Sequence, residues 1–283
     1  MLTLTDDERT SGFLMPETVQ ATSELLRTQG YVVFDRLLTP ERVEELLGAF
    51  DPLFDAYLSR SMYRTGANRA RMYLPFESPF IGEDVIASPV LLPVLRDVLG
   101  EGMRCTYFAS DTPLPGSQYQ NAHSDIAPLF PDVSVSLPTY ALVVNIPLVD
   151  VTEENGPLEI WPGTHLNPEW SAHVTLDGSV GPHLDIVRAA ARMRSERVLM
   201  PAGGAVIRDS RCWHRGTPNL SGARRPNLAL VYHRHWFGAG HTIPIPQDTY
   251  GGLSPVARAL FRAERIGDPV RLPWDWDPPD TRR

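Results

Sequence analysis

At 283 residues, with 42% hydrophobic and 21% charged residues, the chain holds enough apolar material for a sizeable core, which excludes disorder throughout. Its formal net charge of -8 argues against a general nucleic-acid binder, which would carry a basic balance or stripe. Two cysteines, Cys105 and Cys212, exclude a disulfide framework or a thiolate zinc site, so reduced thiols are the expectation.

The first segment, MLTLTDDERTSGF, lacks the basic-then-apolar layout of a signal peptide, and no run of about 18 apolar residues follows it. A soluble cytoplasmic protein is expected, without membrane attachment or an obligate protein partner. The 27 prolines, many in turn-like settings such as 112–116, suit a β-rich body with many loops.

Residues 17–29 have a helical composition and end at Gly30, suited to the position just past a helix C-terminus. Tyr31-Val32-Val33-Phe34 reads as a short strand. Thr39-Pro40-Glu41 then opens a helix whose apolar residues Val43, Leu46, Leu47, Phe50, Phe54, Tyr57 and Leu58 fall on one stripe, with Pro52 expected to bend or interrupt it. Residues 59–80 mix Arg60, Arg64, Arg69 and Arg71 with Met62, Tyr63, Met72, Tyr73 and Phe76 without periodicity, the pattern of a solvated loop or a substrate-facing one. A further helix is expected from Ser88-Pro89 to about Gly100.

Beyond it the pattern turns to strands: 104–110, 139–149, 158–161, 197–200, 205–214 and 227–237, separated by Pro and Gly turns. Residues 166–195 read as an insertion with a helix around 186–193. Its arginines, with Arg197 just beyond, form either a solvated face (Arg188, Arg192, Arg194, Arg197) or a basic lid. The proline-rich stretch 269–283 is expected to wrap the surface, pinned by Trp274 and Trp276. The expected architecture is mainly β with flanking helices: one domain over 1–283, with a helical part to about 103, a jelly-roll (double-stranded β-helix, cupin-like) core over about 104–240, and a tail from 241.

His123-Ser124-Asp125 places a histidine and an acid on the same side of an extended segment, where both can grip one metal ion. With 8 histidines in an acidic chain, chance supplies roughly half of one such triplet, so the pair needs a third ligand. His214, at the end of the strand expected over 205–214, is the candidate. Eleven residues on, Arg225 opens the next strand, and a turn through 217–222 is expected to lay the two strands side by side so that His214 and Arg225 face one cavity. Arg224 competes with Arg225, but adjacent residues on a strand face opposite sides. Asn145 interrupts an apolar strand and is either a satisfied core amide or a cavity contact; Tyr107 is a similar candidate. His233 and His235 alternate on a strand with no evident third ligand, and His173, His183 and His241 read as surface loop residues.

These features in order resemble the phytanoyl-CoA dioxygenase-like family of Fe(II)- and 2-oxoglutarate-dependent oxygenases. The matches are Gly30-Tyr31 followed by Leu38-Thr39-Pro40-Glu41, then His123-Ser124-Asp125, then Asn155-Gly156-Pro157-Leu158 leading to Pro162-Gly163-Thr164-His165, then His214 through Arg225. The resemblance implies that His123, Asp125 and His214 bind Fe(II), and that Arg225 binds the distal carboxylate of 2-oxoglutarate, with Asn145 and Tyr107 near that cosubstrate. It gives His165 a structural place in the cavity rim. It also implies that the enzyme uses O2 to hydroxylate an unactivated carbon of a small organic metabolite, in bacterial secondary metabolism by analogy, releasing succinate and CO2. Asp125 sets the chain apart from related halogenases, which carry a small residue there. A cupin-like metal- or ligand-binding protein or isomerase is the alternative.

Overall fold

The computed structural model describes residues 3–60, 63–64, 67–126, 129–130, 135–167, 184–238 and 242–276. Met62, most of the insertion with His173 and His183, His241 and the end of the tail lie outside the described residues.

The N-terminal part contains α1 (Asp6–Ser11), α2 (Pro16–Gln29), β1 (Tyr31–Phe34), α3 (Pro40–Arg60), β2 (Tyr63–Arg64), β3 (Arg69–Tyr73), α4 (Glu83–Ile86) and α5 (Leu92–Leu99). Gly30 ends α2 with φ +84°, and its N–H donates to the Leu26 carbonyl, as the sequence leads one to expect. The stripe on α3 is also as expected, with Val43, Leu46, Phe50, Phe54 and Tyr57 buried. Pro52 does not interrupt it: Phe50 and Phe54 stack with ring centres 5.1 Å apart across the proline and pack one face of the helix into the core. Each such fully buried apolar side chain is worth roughly 1.5–3 kcal/mol, enough to offset the lost backbone hydrogen bond.

The strands that follow are β4 (Arg104–Pro113), β5 (Ala141–Pro147), β6 (Leu158–Ile160), β7 (Glu196–Val198), β8 (Ala205–Asp209), β9 (His214–Gly216) and β10 (Asn227–His233), with α6 (Leu184–Ala190) before β7. They form a seven-stranded antiparallel sheet in the order β1-β8-β5-β10-β4-β3-β2 and a three-stranded sheet β7-β6-β9. The two sheets enclose a cavity between them, as in a jelly roll.

Alternation along the strands divides the large sheet. Leu228, Leu230 and Tyr232 of β10 join the core shared with α2, α3 and α5, while Asn227, Ala229, Val231 and His233 line the cavity. Burial on both faces is why β5 reads as an almost continuous apolar run.

Four expectations need correction. Residues 69–73 of the supposed loop form the strand β3, held on β4 by the register Arg71↔Asp111 and Tyr73↔Ala109. The helix expected from Ser88 begins only at Leu92, after a turn. The strand expected over 205–214 breaks at a turn closed by the Cys212 N–H donating to the Asp209 carbonyl, so His214 begins β9 rather than ending β8. β9 then pairs with β6, and β10 with β4 and β5, so the turn after Gly216 carries the chain from one sheet to the other instead of forming a hairpin.

The C-terminal part adds β11 (Pro244–Ile245), α7 (Gln247–Gly252), α8 (Pro255–Phe261) and β12 (Arg265–Ile266). The tail is pinned as expected: Trp276 stacks on Tyr73 at 4.7 Å, and Arg60 lies 3.9 Å from the Trp274 ring centre. Residues 273–275, however, form a short 3-10 helix. No helix among the described residues is long and apolar enough to cross a membrane.

Gly30 joins the helical part to the sheet at close quarters. A Cβ there would stand 2.6 Å from His165 Nδ1 and 3.0 Å from Cys212 Sγ, whereas Gly12, also at positive φ, has nothing within 4 Å. Gly12→Ala should therefore lose only the left-handed penalty of about 1–2 kcal/mol, and Gly30→Ala clearly more. Urea unfolding of the two variants measures the difference; equal losses would contradict the packing described.

Candidate metal centre

His123 and His214 face each other on the side of β9 away from β6. The His123 N–H donates to the His214 carbonyl at 3.0 Å and the His214 N–H to the His123 carbonyl at 2.9 Å, an antiparallel pair whose ring centres lie 4.4 Å apart. Two residues past His123, the Asp125 N–H donates to the Ser210 carbonyl, which turns its carboxylate to the same side. His123, Asp125 and His214 thus offer ligand atoms that all lie within 4.8 Å of one another.

Local contacts fix which nitrogen each histidine presents. Nδ1 of His123 lies 2.7 Å from the Asn121 carbonyl, and Nδ1 of His214 lies 2.9 Å from the Cys212 carbonyl. A carbonyl only accepts, so each Nδ1 carries a proton, which in the neutral ring leaves Nε2 as the nitrogen with the lone pair; the donor Arg208 Nη1 stands farther from His214 Nδ1, at 3.4 Å. The Nε2 atoms stand 3.9 Å and 3.4 Å from Asp125 Oδ1. Burial, with His214 beside it, pulls His123 down to about 4, so it is a neutral donor near pH 7. Asp125 is held well below the usual carboxylate range: burial opposes this, but Arg208 and the two histidines outweigh it.

The turn before His214 is built by its own sequence. Asp209 accepts from the Arg211 backbone N–H at 2.9 Å and from Nη2 at 2.7 Å, while Arg211 Nη1 reaches the Leu137 carbonyl at 2.8 Å. Thr164, in the Pro-Gly-Thr-His turn, accepts the Trp213 N–H at 2.8 Å. His165 packs against Gly30 and lies 3.2 Å from the Arg27 carbonyl, a structural position, but it does not line the cavity between the sheets, whose rim the resemblance implies it shapes.

Arg225 lies at one end of the cavity, buried to 7% exposure. Its Nη2 donates to the Gly156 carbonyl at 2.7 Å and its Nε to the Asn155 carbonyl at 3.2 Å. The Asn155-Gly156-Pro157 turn therefore positions the arginine. Burial, with Arg69 beside it, pulls the Arg225 guanidinium down to about 10, the condition of a cation short of a counter-ion. Arg224 points the other way, to Asp51 at 2.8 Å and Asp55 at 2.5 Å on α3.

Asn145 and Tyr107 both line the cavity, which has a volume of about 370 Å3. Register places them. Ala229 pairs Asn145, and Asn145 pairs Val206, in the row between Asn227 and the row of Arg208, Val143, Val231 and Tyr107. His233 also lines the cavity, 3.3 Å from the Thr106 hydroxyl, while His235 is exposed; among the described residues only His123, Asp125 and His214 form a metal-capable cluster. Arg188, Arg192 and Arg194 are exposed, Arg197 is paired with Glu153, and none of the four lines the cavity.

Of three further cavity arginines, Arg208 escaped the sequence reading, while Arg69 and Arg71 lie in the stretch read as a solvated or substrate-facing loop. Arg208 Nη2 bonds Asp125 Oδ2 at 2.5 Å, leaving Oδ1 turned to the histidines. Arg69 and Arg71 project from β3. The signal for Arg208 was present: it is a lone cation within the apolar run Ala205-Val206-Ile207, as Asn145 is a lone amide in β5. For Arg69 and Arg71 the substrate-facing alternative is the one that holds, and the pairing of β3 with β4 is what turns both to the cavity.

Two imidazoles and one carboxylate on one side of a site leave the remaining metal positions open, which suits iron(II) and a chelating oxoacid. The model of the family described as phytanoyl-CoA dioxygenase (PhyH) matches residues 26–227. Among curated proteins, dioxygenase af480 of Aspergillus fumigatus is 23% identical over 262 residues, 89% of this chain and 75% of that protein. Among solved structures, the non-heme alpha-ketoglutarate-dependent carbocyclase SnoK from nogalamycin biosynthesis is 19% identical with a TM-score of 0.59, covering 78% of this chain and 84% of that one. The epimerase SnoN, in complex with Fe3+, alpha ketoglutarate and nogalamycin RO, is 18% identical with a TM-score of 0.58 over 78% and 85%. The likeness to these structures concerns the fold. With most of the chain matched by the family model and the His-Asp-His cluster in place, this chain belongs to the phytanoyl-CoA dioxygenase family of Fe(II)- and 2-oxoglutarate-dependent oxygenases.

Proposed function

We propose that the chain acts as a single-domain dioxygenase that hydroxylates an unactivated carbon of a small organic metabolite, with His123, Asp125 and His214 holding iron(II) and Arg225 anchoring 2-oxoglutarate. The observation that carries this reading is the convergence of two imidazole nitrogens and one carboxylate oxygen within 4.8 Å, on a cavity that ends in a buried arginine. Iron(II) with 2-oxoglutarate and O2 supplies the oxidising power, releasing succinate and CO2.

The protein's part is placement. The Asn121 and Cys212 carbonyls fix the histidine tautomers, and Arg208 holds Asp125 by one oxygen so that the other is presented to the metal. The Asn155 and Gly156 carbonyls use two of the five Arg225 donors, leaving the others for a carboxylate, which a planar fork receives well. Asn145 stands on the floor between the Arg225 end and the Arg208–Asp125 end, where its amide can steady the cosubstrate; Tyr107 borders the metal end of the same space. Val143, Val206, Leu158 and Met200 form an apolar wall that sheds water from the reacting carbon.

A second outcome has support in the relatives, one named an epimerase and one a carbocyclase, since removal of hydrogen need not end in oxygen insertion. Product mass separates them: a gain of one oxygen supports hydroxylation, an unchanged mass epimerisation, and a loss of two hydrogens ring formation. A place in secondary metabolism is part of the same proposal.

Three outcomes are expected. Iron(II)-loaded protein should convert 2-oxoglutarate to succinate under air, and His214→Ala or Asp125→Ala should abolish this; succinate formation that survives both would refute the ligand assignment. Arg225→Ala should raise the KM for 2-oxoglutarate by roughly 30-fold or more, with Arg225→Lys in between, because a buried charged partner is lost; an unchanged KM would move the anchor elsewhere. Arg208→Gln should weaken iron(II) binding by about 10–100-fold while Asp125 stays in place, as read from anaerobic iron titration; wild-type affinity would show that the Asp125 contact is incidental.

A further inference from the structure

The charge lining the cavity is unbalanced. Among the described residues that line it, Arg69, Arg71, Arg208 and Arg225 stand against Asp111 and Asp125, an excess of two positive charges before any histidine is counted. Loading does not change this, because the double charge of iron(II) and that of 2-oxoglutarate cancel. A walled, weakly polar space of that sign concentrates anions.

The arginines are not equivalent. Arg208 is committed to Asp125 at 2.5 Å and Arg225 to the Asn155–Gly156 turn. Arg69 is only 1% exposed and donates to the Thr217 carbonyl at 3.1 Å; its guanidinium lies so close to Gly216 that a Cβ there would come within 2.3 Å. Its Nε is buried with no acceptor among the described residues, and its nearest acid, Asp111, stays 3.8 Å away. Arg71, two residues along the same face of β3, is partly accessible and sits opposite Asp111 in the register. Asp111 and Asp125 are thus shared by Arg69, Arg71 and Arg208, since Asp125 acts on Arg71 as well. Beside Arg71, Tyr73 makes an edge contact with Tyr107 at 5.7 Å and stacks on Trp276, giving an apolar border to the charged corner.

We propose that the substrate is a small oxyacid, a carboxylate or phosphate group on an apolar body, whose acid group is received by Arg71 with Arg69 behind it. The proposal rests on the oxygenase reading for the word substrate, and on the cavity alone for the preference. The acid group docks on β3, which lies between β4 and the short edge strand β2, and the apolar body extends across the floor toward the Val143–Val206 wall and the His-Asp-His cluster. Arg71 acts as a specificity determinant and takes no part in the oxidation.

The test uses protein loaded with iron(II) and 2-oxoglutarate without oxygen, titrated calorimetrically with a panel of aromatic and branched aliphatic carboxylic acids, their primary amides, and the matching alcohols and monophosphate esters. Acids or phosphates should bind at least about tenfold more tightly than their neutral counterparts, a difference of about 1.4 kcal/mol. Arg71→Gln should remove that preference, and Arg71→Lys should restore part of it, while both variants bind iron(II) and 2-oxoglutarate like the parent. The stronger of the two acid classes identifies the natural group. The proposal is overturned if neutral members bind as tightly as acids, if no acid binds below about 1 mM, or if Arg71→Gln keeps the preference. Because the excess charge is the same without iron and cosubstrate, the titration is repeated on metal-free protein. A chain that fails to load then counts against the oxygenase reading, while the anion preference is still measured.

Discussion

The site depends on one pair of backbone hydrogen bonds, those exchanged by His123 and His214 along the outer side of β9. Each histidine comes from a different part of the chain, and neither strand is long. The reciprocal bonds set the separation of the two imidazoles before any side chain is considered. They also explain why the strand had to break after Asp209. A continuous strand through 214 would keep His214 on the large sheet, whereas the Asp209–Arg211 turn releases it to the small one, facing the floor of the cavity.

Around that join the polar groups are tied to one another, as a cavity with buried charges requires. Carbonyls of Asn121 and Cys212 take the outward protons of the histidines, Arg208 takes the second oxygen of Asp125, and the Asn155-Gly156 turn takes two donors of Arg225. The motifs that suggested the family are therefore not independent signatures. Asn155-Gly156-Pro157 holds the arginine at the far end of the cavity, and Pro162-Gly163-Thr164 holds the segment that ends in His214.

The ligand cluster was legible because its chemistry is local: a histidine and an acid two apart, a histidine at a turn, an arginine eleven residues on. The jelly roll was legible in its short strands and turns, and α2 and α3 in their caps and stripes. What stayed hidden depends on contacts distant in sequence. Arg69 and Arg71 sit in a stretch that reads as a solvated loop or a substrate-facing one until β3 pairs with β4, and the exchange of sheets between β9 and β10 looks like a hairpin because the turn residues suit either path. Pro52 reads as a break because local propensity cannot weigh the aromatic packing that carries α3 across it. Arg208 could have been found by the rule that singled out Asn145, a polar residue inside an apolar strand.

The central claim is that His123, Asp125 and His214 hold iron(II) with positions left open for a chelating oxoacid. It is tested most directly by adding iron(II) and then 2-oxoglutarate to the protein under anaerobic conditions and recording the visible spectrum. A weak charge-transfer band that requires both additions, and that is lost in His214→Ala and in Asp125→Ala, is the predicted result. Iron binding without such a band, or a band that persists in both variants, would contradict the account.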